Sequence, residues 1–363
     1  MNHSILASLA FVLSGAVAAF SGGPSNESFH VLSPITHGNL TIFPVVGGPE
    51  YDTSRFLTLD EGVRSGSVII TEAGSLQGLV RRGTSVSRHA GAEVNRLVLV
   101  NNSDRPLLLL AGEIVTGGKQ DRVIGADRVV PPKSDPIDLS VFCVEPGRWV
   151  ERTAQFGSMK SQMAQPSVRV PAMAARDQQE VWNRVAAANQ AVEVTSAAPL
   201  VAGRGTTSYA ATMAAPQVQE KIDSVAGNYE GILRELRKAG AKGVVVAING
   251  NLVWADLFAS DDLLTRYWQK LIRSYAAESL TTVSAKGEAT QKSAQAFLDR
   301  MSGNREVIET EPGIFRRVEV SGDGYKVFTL TALTPKTDFN VHVAKMTWQG
   351  EVRSPFSPGV MLR

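Results

Sequence analysis

The chain is 363 residues long, 43% hydrophobic and 20% charged, with 37 Lys and Arg against 35 Asp and Glu and a formal net charge of +2. That length can bury a large core without crosslinks. The single cysteine, Cys143, excludes an intramolecular disulfide and a zinc site built on several thiolates, and the balanced charge lacks the footprint of a nucleic-acid binder.

Residues 5–20 form an apolar run broken only by small residues, and Ala16-Val17-Ala18 has the small-x-small pattern of a cleavage site. Residues 1–19 are therefore expected to be a signal peptide cut after Ala18 or Ala19, which makes the mature chain secreted or periplasmic. A flexible segment, 20–31, follows. No cysteine stands near the cut to carry a lipid anchor, and no later stretch reaches the ~20 apolar residues of a membrane span, so no stable membrane anchor is expected after cleavage.

Short apolar runs at 40–46, 68–71, 96–100, 106–111, 122–124 and 137–144 alternate with Gly, Asn, Asp and Pro, the pattern of strands bounded by turns. Residues 101–106, NNSDRP, lie between two aliphatic runs and read as a hairpin loop. Residues 153–171 and 195–216, rich in small and polar side chains, read as irregular. Between them Asp177 opens a helix with Val181, Trp182, Val185 and Ala186 on one face. A single helix over 220–239 carries Ile222, Val225, Tyr229, Ile232, Leu233 and Leu236 at helical spacing and stops at Gly240.

Residues 243–248 read as a buried strand, Asn249-Gly250 as a two-residue turn, and 252–258 as the returning strand. Ser260 or Asp261 then caps a helix with apolar positions from Leu263 to Tyr275. A shorter helix over 290–301 and strands at 316–320, 326–330 and 340–346 complete the chain. The expected fold class is α+β. Its main domain spans 32–303, with an antiparallel, sandwich-like half over 32–150 and a helix-hairpin-helix half over 172–303, followed by a C-terminal β extension over 304–363.

There is no G-x-S-x-G elbow, no GK[ST] phosphate loop, no G-x-G-x-x-G and no H-E-x-x-H. The histidines left after cleavage, His30, His37, His89 and His342, are isolated in sequence, and nothing predicts a metal site or a cofactor. One segment does concentrate charge among apolar strands. Glu113 follows five apolar or small residues, Gly117-Gly118-Lys119-Gln120-Asp121-Arg122 follows it, and Cys143-Val144-Glu145-Pro146-Gly147-Arg148-Trp149 ends the next strand.

Carboxylates at the ends of buried strands need partners, and two readings follow. In the first the segment is a polar pocket. Glu113 and Glu145 work as an acid/base pair or orient a ligand, Arg122 and Arg148 clamp an anion beside the Gly117-Gly118 turn, Lys119, Gln120 and Asp121 add contacts, and Trp149 is an apolar wall. In the second, Arg122, Arg148 and Lys119 close a buried ion-pair network that pins strand ends. Cys143 reads as a buried core residue and Trp182, Trp254 and Trp268 as packing. The sequons at Asn26, Asn39 and Asn101 read as chance.

The run AGEIVTGGKQDRVIGADRVVPP (111–132), then CVEPGRW (143–149), GVVVAINGNLVWADLF (243–258) and RYWQKLI (266–272), resembles the ADP-ribosylglycohydrolase- and rhodanese-phosphatase-associated protein domain family over about residues 32–280. The order of GE, GGKQDR and CVE-x-GRW is the specific part. The resemblance implies a domain of uncharacterised chemistry, named for neighbouring genes that handle ADP-ribose or phosphate esters. It matches at Glu113, Gly117 through Arg122, Cys143, Glu145, Gly147, Arg148 and Trp149.

Three functions are then expected in competition. The first is a binding module for a small nucleotide- or sugar-derived anion, the second a metal-independent hydrolase using Glu113 and Glu145, and the third an envelope scaffold with a protein partner the residues do not name. Carboxylates about 5 to 9.5 Å apart across an open cleft favour the hydrolase. Carboxylates sealed in ion pairs favour the scaffold.

Overall fold

The computed structural model describes residues 29–73, 96–148, 151–159, 162–196, 207–282, 286–333 and 337–348. The expected signal peptide, Asn26, His89 and Trp149 lie outside the described residues.

The N-terminal half contains β1 (Phe29–Val31), β2 (Ile35–His37), β3 (Leu40–Gly47), β4 (Leu57–Thr58), α1 (Leu59–Arg64), β5 (Val68–Glu72), β6 (Arg96–Asn101), β7 (Leu107–Leu109), β8 (Ile114–Thr116), β9 (Arg122–Ile124), β10 (Arg128–Val130), β11 (Ile137–Cys143) and β12 (Gly157–Ser158). Then come α2 (Pro166–Val170), a π-helix (Pro171–Ala175), α3 (Gln178–Ser196), α4 (Tyr209–Ala214), α5 (Pro216–Ala226) and α6 (Tyr229–Ala239). The rest is β13 (Gly243–Ile248), β14 (Asn251–Phe258), α7 (Asp261–Thr281), α8 (Gln291–Asp299), β15 (Asn304–Glu311), β16 (Phe315–Gly322), β17 (Tyr325–Ala332) and β18 (Phe339–Thr347).

The fold is α+β. A nine-stranded antiparallel sheet runs β1-β3-β13-β14-β18-β17-β16-β15, with β2 also on β3. A six-stranded antiparallel sheet runs β12-β8-β9-β11-β6-β5, and a three-stranded one runs β10-β7-β4, its β4–β7 pair parallel. The β13–β14 hairpin turns at Asn249-Gly250, both at positive φ, as the Asn-Gly pair predicts.

β13 is apolar at every position after Gly243 because the large sheet is covered on both faces. Val244, Val246 and Ile248 pack into the helical layer with Trp268, Leu271 and Ile272 of α7. Val245 and Ala247 face the opposite layer with Ala294 and Leu298 of α8. A third cluster joins the two smaller sheets through residues such as Leu97, Leu99, Leu107, Leu109, Val115 and Val141. Ser260 caps α7, its hydroxyl accepting from the Leu263 amide at 3.1 Å.

Several expectations need correction. Residues 101–106 are not a hairpin loop, since β6 pairs with β5 and β11 while β7 pairs with β4 and β10, so the loop crosses between sheets. The helix expected over 220–239 is two, α5 and α6, broken at Gly227. The buried face of α3 is Val181, Val185, Ala188 and Val192, with Ala186 exposed. The stretches read as irregular contain β12, α2 and α4, and the π-helix starts at Pro171, where the first of them ends.

The strands after residue 303 continue the large sheet. β18 pairs with β14 from Trp254↔Met346 to Phe258↔His342. Among the described residues, no helix is long and apolar enough to cross a membrane.

Candidate functional site

Glu113 and Glu145 belong to separate networks and share no partner among the described residues. Glu113 is fully buried just before β8. Its Oε2 accepts from the Leu110 amide at 2.9 Å and its Oε1 meets Lys270 Nζ of α7 at 2.8 Å. Lys270 also lies 2.8 Å from Asp60 in the first turn of α1. Burial pushes the Glu113 carboxyl up while Lys270 pulls it down. Burial also works against the Lys270 charge, but Glu113 and Asp60 together hold the amine above its ordinary value, so it stays an ammonium.

Glu145 follows β11, and its nearest partner is Arg148, three residues on, with Arg152 3.6 Å from its other carboxylate oxygen. Arg148 Nε donates to Glu145 Oε2 at 2.8 Å, and one terminal nitrogen approaches the same oxygen at 2.7 Å. The guanidinium also donates to the carbonyls of Gly118 at 2.7 Å and Gly117 at 3.2 Å, and lies 3.3 Å from Asp121 Oδ1. The Gly117-Gly118 turn thus closes around Arg148 of the same chain. Gly118 needs its glycine: φ is +48°, and a Cβ there would fall 2.2 Å from the Phe156 ring.

The remaining groups of the segment join this network. Gln120 Nε2 donates to the Glu145 carbonyl at 3.1 Å, and the Asp121 amide donates to Glu145 Oε2 at 3.2 Å. Asp121 accepts from the Gly117 amide at 3.0 Å and from the Ser208 hydroxyl, the N-cap of α4, at 3.1 Å. Burial, then the neighbouring Glu145 charge, push the Asp121 carboxyl above its ordinary value. Arg122 is buried and lies 3.9 Å from Glu72 at the end of β5, whose carboxylate also takes the Lys119 amide at 3.0 Å. Cys143 is buried, and the Gln178 side-chain amide pairs with its backbone in both directions at 2.8 and 2.9 Å.

A third network was missed in the sequence. His342 on β18 stands between two carboxylates, with Nδ1 2.6 Å from Asp127 Oδ2 and Nε2 3.1 Å from Asp256 Oδ1. Arg169 of α2 forks onto both oxygens of Asp256 at 3.3 Å and stacks 4.2 Å from the Trp254 ring, and the Tyr275 hydroxyl donates to Asp256. Burial pulls His342 toward neutrality, but the two aspartates more than reverse it and raise the imidazole to about 9, so both ring nitrogens carry protons and donate. Burial opposes the Asp256 charge too, yet Arg169 and His342 hold that carboxyl well below its usual range.

The signal for this network was a titratable residue inside an apolar strand, Asp256 between Ala255 and Leu257 and His342 between Val341 and Val343. Glu113, after an apolar run, carries the same cue. Among the described residues, no group of three or more His, Cys, Asp or Glu is placed to hold a metal ion.

The family model of the ARG and Rhodanese-Phosphatase-superfamily-associated Protein domain matches residues 28–345. The match reaches past residue 280, where the resemblance in sequence stopped, and takes in β15 to β17 and nearly all of β18. No curated protein and no solved structure matches the chain.

Proposed function

The chain belongs to the ARG and Rhodanese-Phosphatase-superfamily-associated Protein domain family, a family described by association and not by a reaction, and we propose on geometric grounds that it is a non-catalytic scaffold or interaction protein whose charged segment, residues 113–148, is architecture. One observation carries this reading: the Arg148 guanidinium directs its donors to Glu145, Asp121 and the Gly117 and Gly118 carbonyls of its own chain. An anion clamp would turn those donors outward. The same saturation holds at Glu113, where Lys270 and the Leu110 amide take the carboxylate oxygens that a general acid would offer to substrate.

Export remains part of the proposal, supported by the apolar run at 5–20 and the Ala16-Val17-Ala18 pattern. Assays of the full chain, E113Q and E145Q against nucleotides, ADP-ribose, sugar phosphates and glycosides test the reading. It expects no turnover from the wild type and a lowered melting temperature in both variants. Turnover by the wild type that is lost in a folded E113Q or E145Q would overturn it.

A further inference from the structure

The large sheet begins at β1, which pairs with β3. The Leu32 amide donates to the Pro44 carbonyl of β3 at 2.8 Å, so the alternate residues, Phe29 and Val31, direct their peptide groups away from β3. Among the described residues no strand meets them. Two glutamines of α8 do. The Val31 amide donates to Gln295 Oε1 at 2.7 Å, Gln295 Nε2 donates to the Phe29 carbonyl at 3.0 Å, and Gln291 Nε2 donates to the Val31 carbonyl at 2.7 Å.

This is the pattern a parallel strand would make. In such a pair one residue donates to a carbonyl and accepts from the amide two residues further on, and the next donor reaches the following carbonyl. The side-chain amide of Gln295 makes the first two of those bonds, and Gln291 makes the third. Gln291 is exposed and Gln295 half-buried, so water can take both amides when they are released.

Beside this edge lies an open groove of about 790 Å³, walled by β1 and by the face of α8 that carries Lys292, Gln295, Ala296 and Asp299. Gln291 sits at Val31 and Gln295 reaches back to Phe29, so α8 runs opposite to β1. Lys292 therefore stands at the Val31 end and Asp299 at the Phe29 end. Both are exposed; Asp299 accepts from Gln295 Nε2 at 2.8 Å, and Lys292 has no hydrogen bond or ion pair among the described residues. Seven helical residues set the two charges about 10 Å apart along the axis. Side chains four residues apart on an extended strand share a face and lie about 13 Å apart, a match once the reach of the lysine is added.

We propose that this groove takes an extended peptide as a strand added parallel to β1, with a basic side chain against Asp299 and, four residues on, an acidic one against Lys292. The proposal rests on the interaction-protein reading and names a surface for it. The peptide backbone replaces the glutamine amides on Phe29 and Val31, and exchanging its two charges would set like charges together at both ends.

Fluorescence anisotropy of the full chain with fluorescein-labelled Thr-Arg-Val-Thr-Val-Glu-Thr-amide, and with the form in which Arg and Glu are exchanged, tests it. The expected result is saturable binding of the first peptide, with the exchanged form about tenfold weaker. Q291A/Q295A is expected to bind the first peptide about tenfold more tightly, because no glutamine bonds have to be broken, and K292E/D299K to reverse the preference. No saturable rise with the wild type, equal affinities for the two peptides, or a Q291A/Q295A affinity no better than the wild type overturns the proposal. The comparison of the two peptides on the wild type holds even where a variant fails to fold. Arg148, Glu113 and Glu145 do not line this groove. Failure here therefore leaves the architectural reading of residues 113–148 to its own variants.

Discussion

His342 shows how a residue without near neighbours in sequence becomes central in space. Its two proton donors tie Asp127, on the turn before β10, to Asp256 in the large sheet. A histidine raised to about 9 in the folded state, against about 6.5 unfolded, stabilises the fold in full below pH ~6.5, and that contribution is lost as the pH rises through 9. Its size is of the order of 3 kcal/mol. Urea denaturation of the wild type and H342N at pH 6 and pH 9.5 isolates it, because other titrating groups are common to both proteins. The stability gap is expected to shrink at the higher pH. A gap that stays constant or widens would show that the imidazole is neutral inside the fold.

The residue cues are present in the sequence but differ in strength. Glu113 and Glu145 are charges at the ends of apolar strands, whereas Asp256 lies inside a strand whose plainest local signal is its Asn-Gly hairpin. The partners Lys270 and Asp60 could not be read at all. They sit on helices far along the chain, and only tertiary packing brings them to Glu113.

At the scale of elements, local chemistry located strands and turns well, and long-range pairing poorly. The Asn101 side chain donates to the carbonyls of Arg105 at 2.9 Å and Pro131 at 3.0 Å and accepts from the Ser103 amide at 3.1 Å, so a turn was rightly expected there. Turn chemistry does not say which sheet the next strand joins. Between α5 and α6 the hydrophobic period continues across a break, and period alone reads one helix. The overlooked signal was Gly227-Asn228, a helix stop followed by an N-cap: Asn228 Oδ1 accepts from the Gly231 amide at 2.9 Å.

Gly227 holds φ +60° and ψ −143°, and a Cβ there would fall 3.0 Å from the His37 ring. G227A is therefore expected to destabilise the protein by about 1–3 kcal/mol. Thermal denaturation checks this, and a melting temperature equal to the wild type would mean that the two helices can fuse or that the bend relaxes without strain.

Across the whole molecule, three sheets and a helical layer are joined by buried charge as well as by apolar packing. The Glu145–Arg148 network draws on the end of β5 through Glu72, the β8–β9 connection through Gly117 to Asp121, and the start of α4 through Ser208. The His342 network fastens α2 and the 125–127 turn to the large sheet. Near-zero net charge concealed both, because each pairs its own cations and anions internally.

On the proposed reading the charged segment holds the fold together and takes no ligand. Chemical denaturation of R148A is the decisive measurement. The Arg148 side chain is 13% exposed, and removing it takes the closest cation from the buried Glu145 and Asp121 carboxylates and a donor from the Gly117 and Gly118 carbonyls. The expected loss is about 3 kcal/mol, with a matching fall in the denaturation midpoint. An R148A protein with an unchanged midpoint that had lost affinity for a nucleotide or sugar phosphate bound by the wild type would contradict the claim and restore the segment as a binding site.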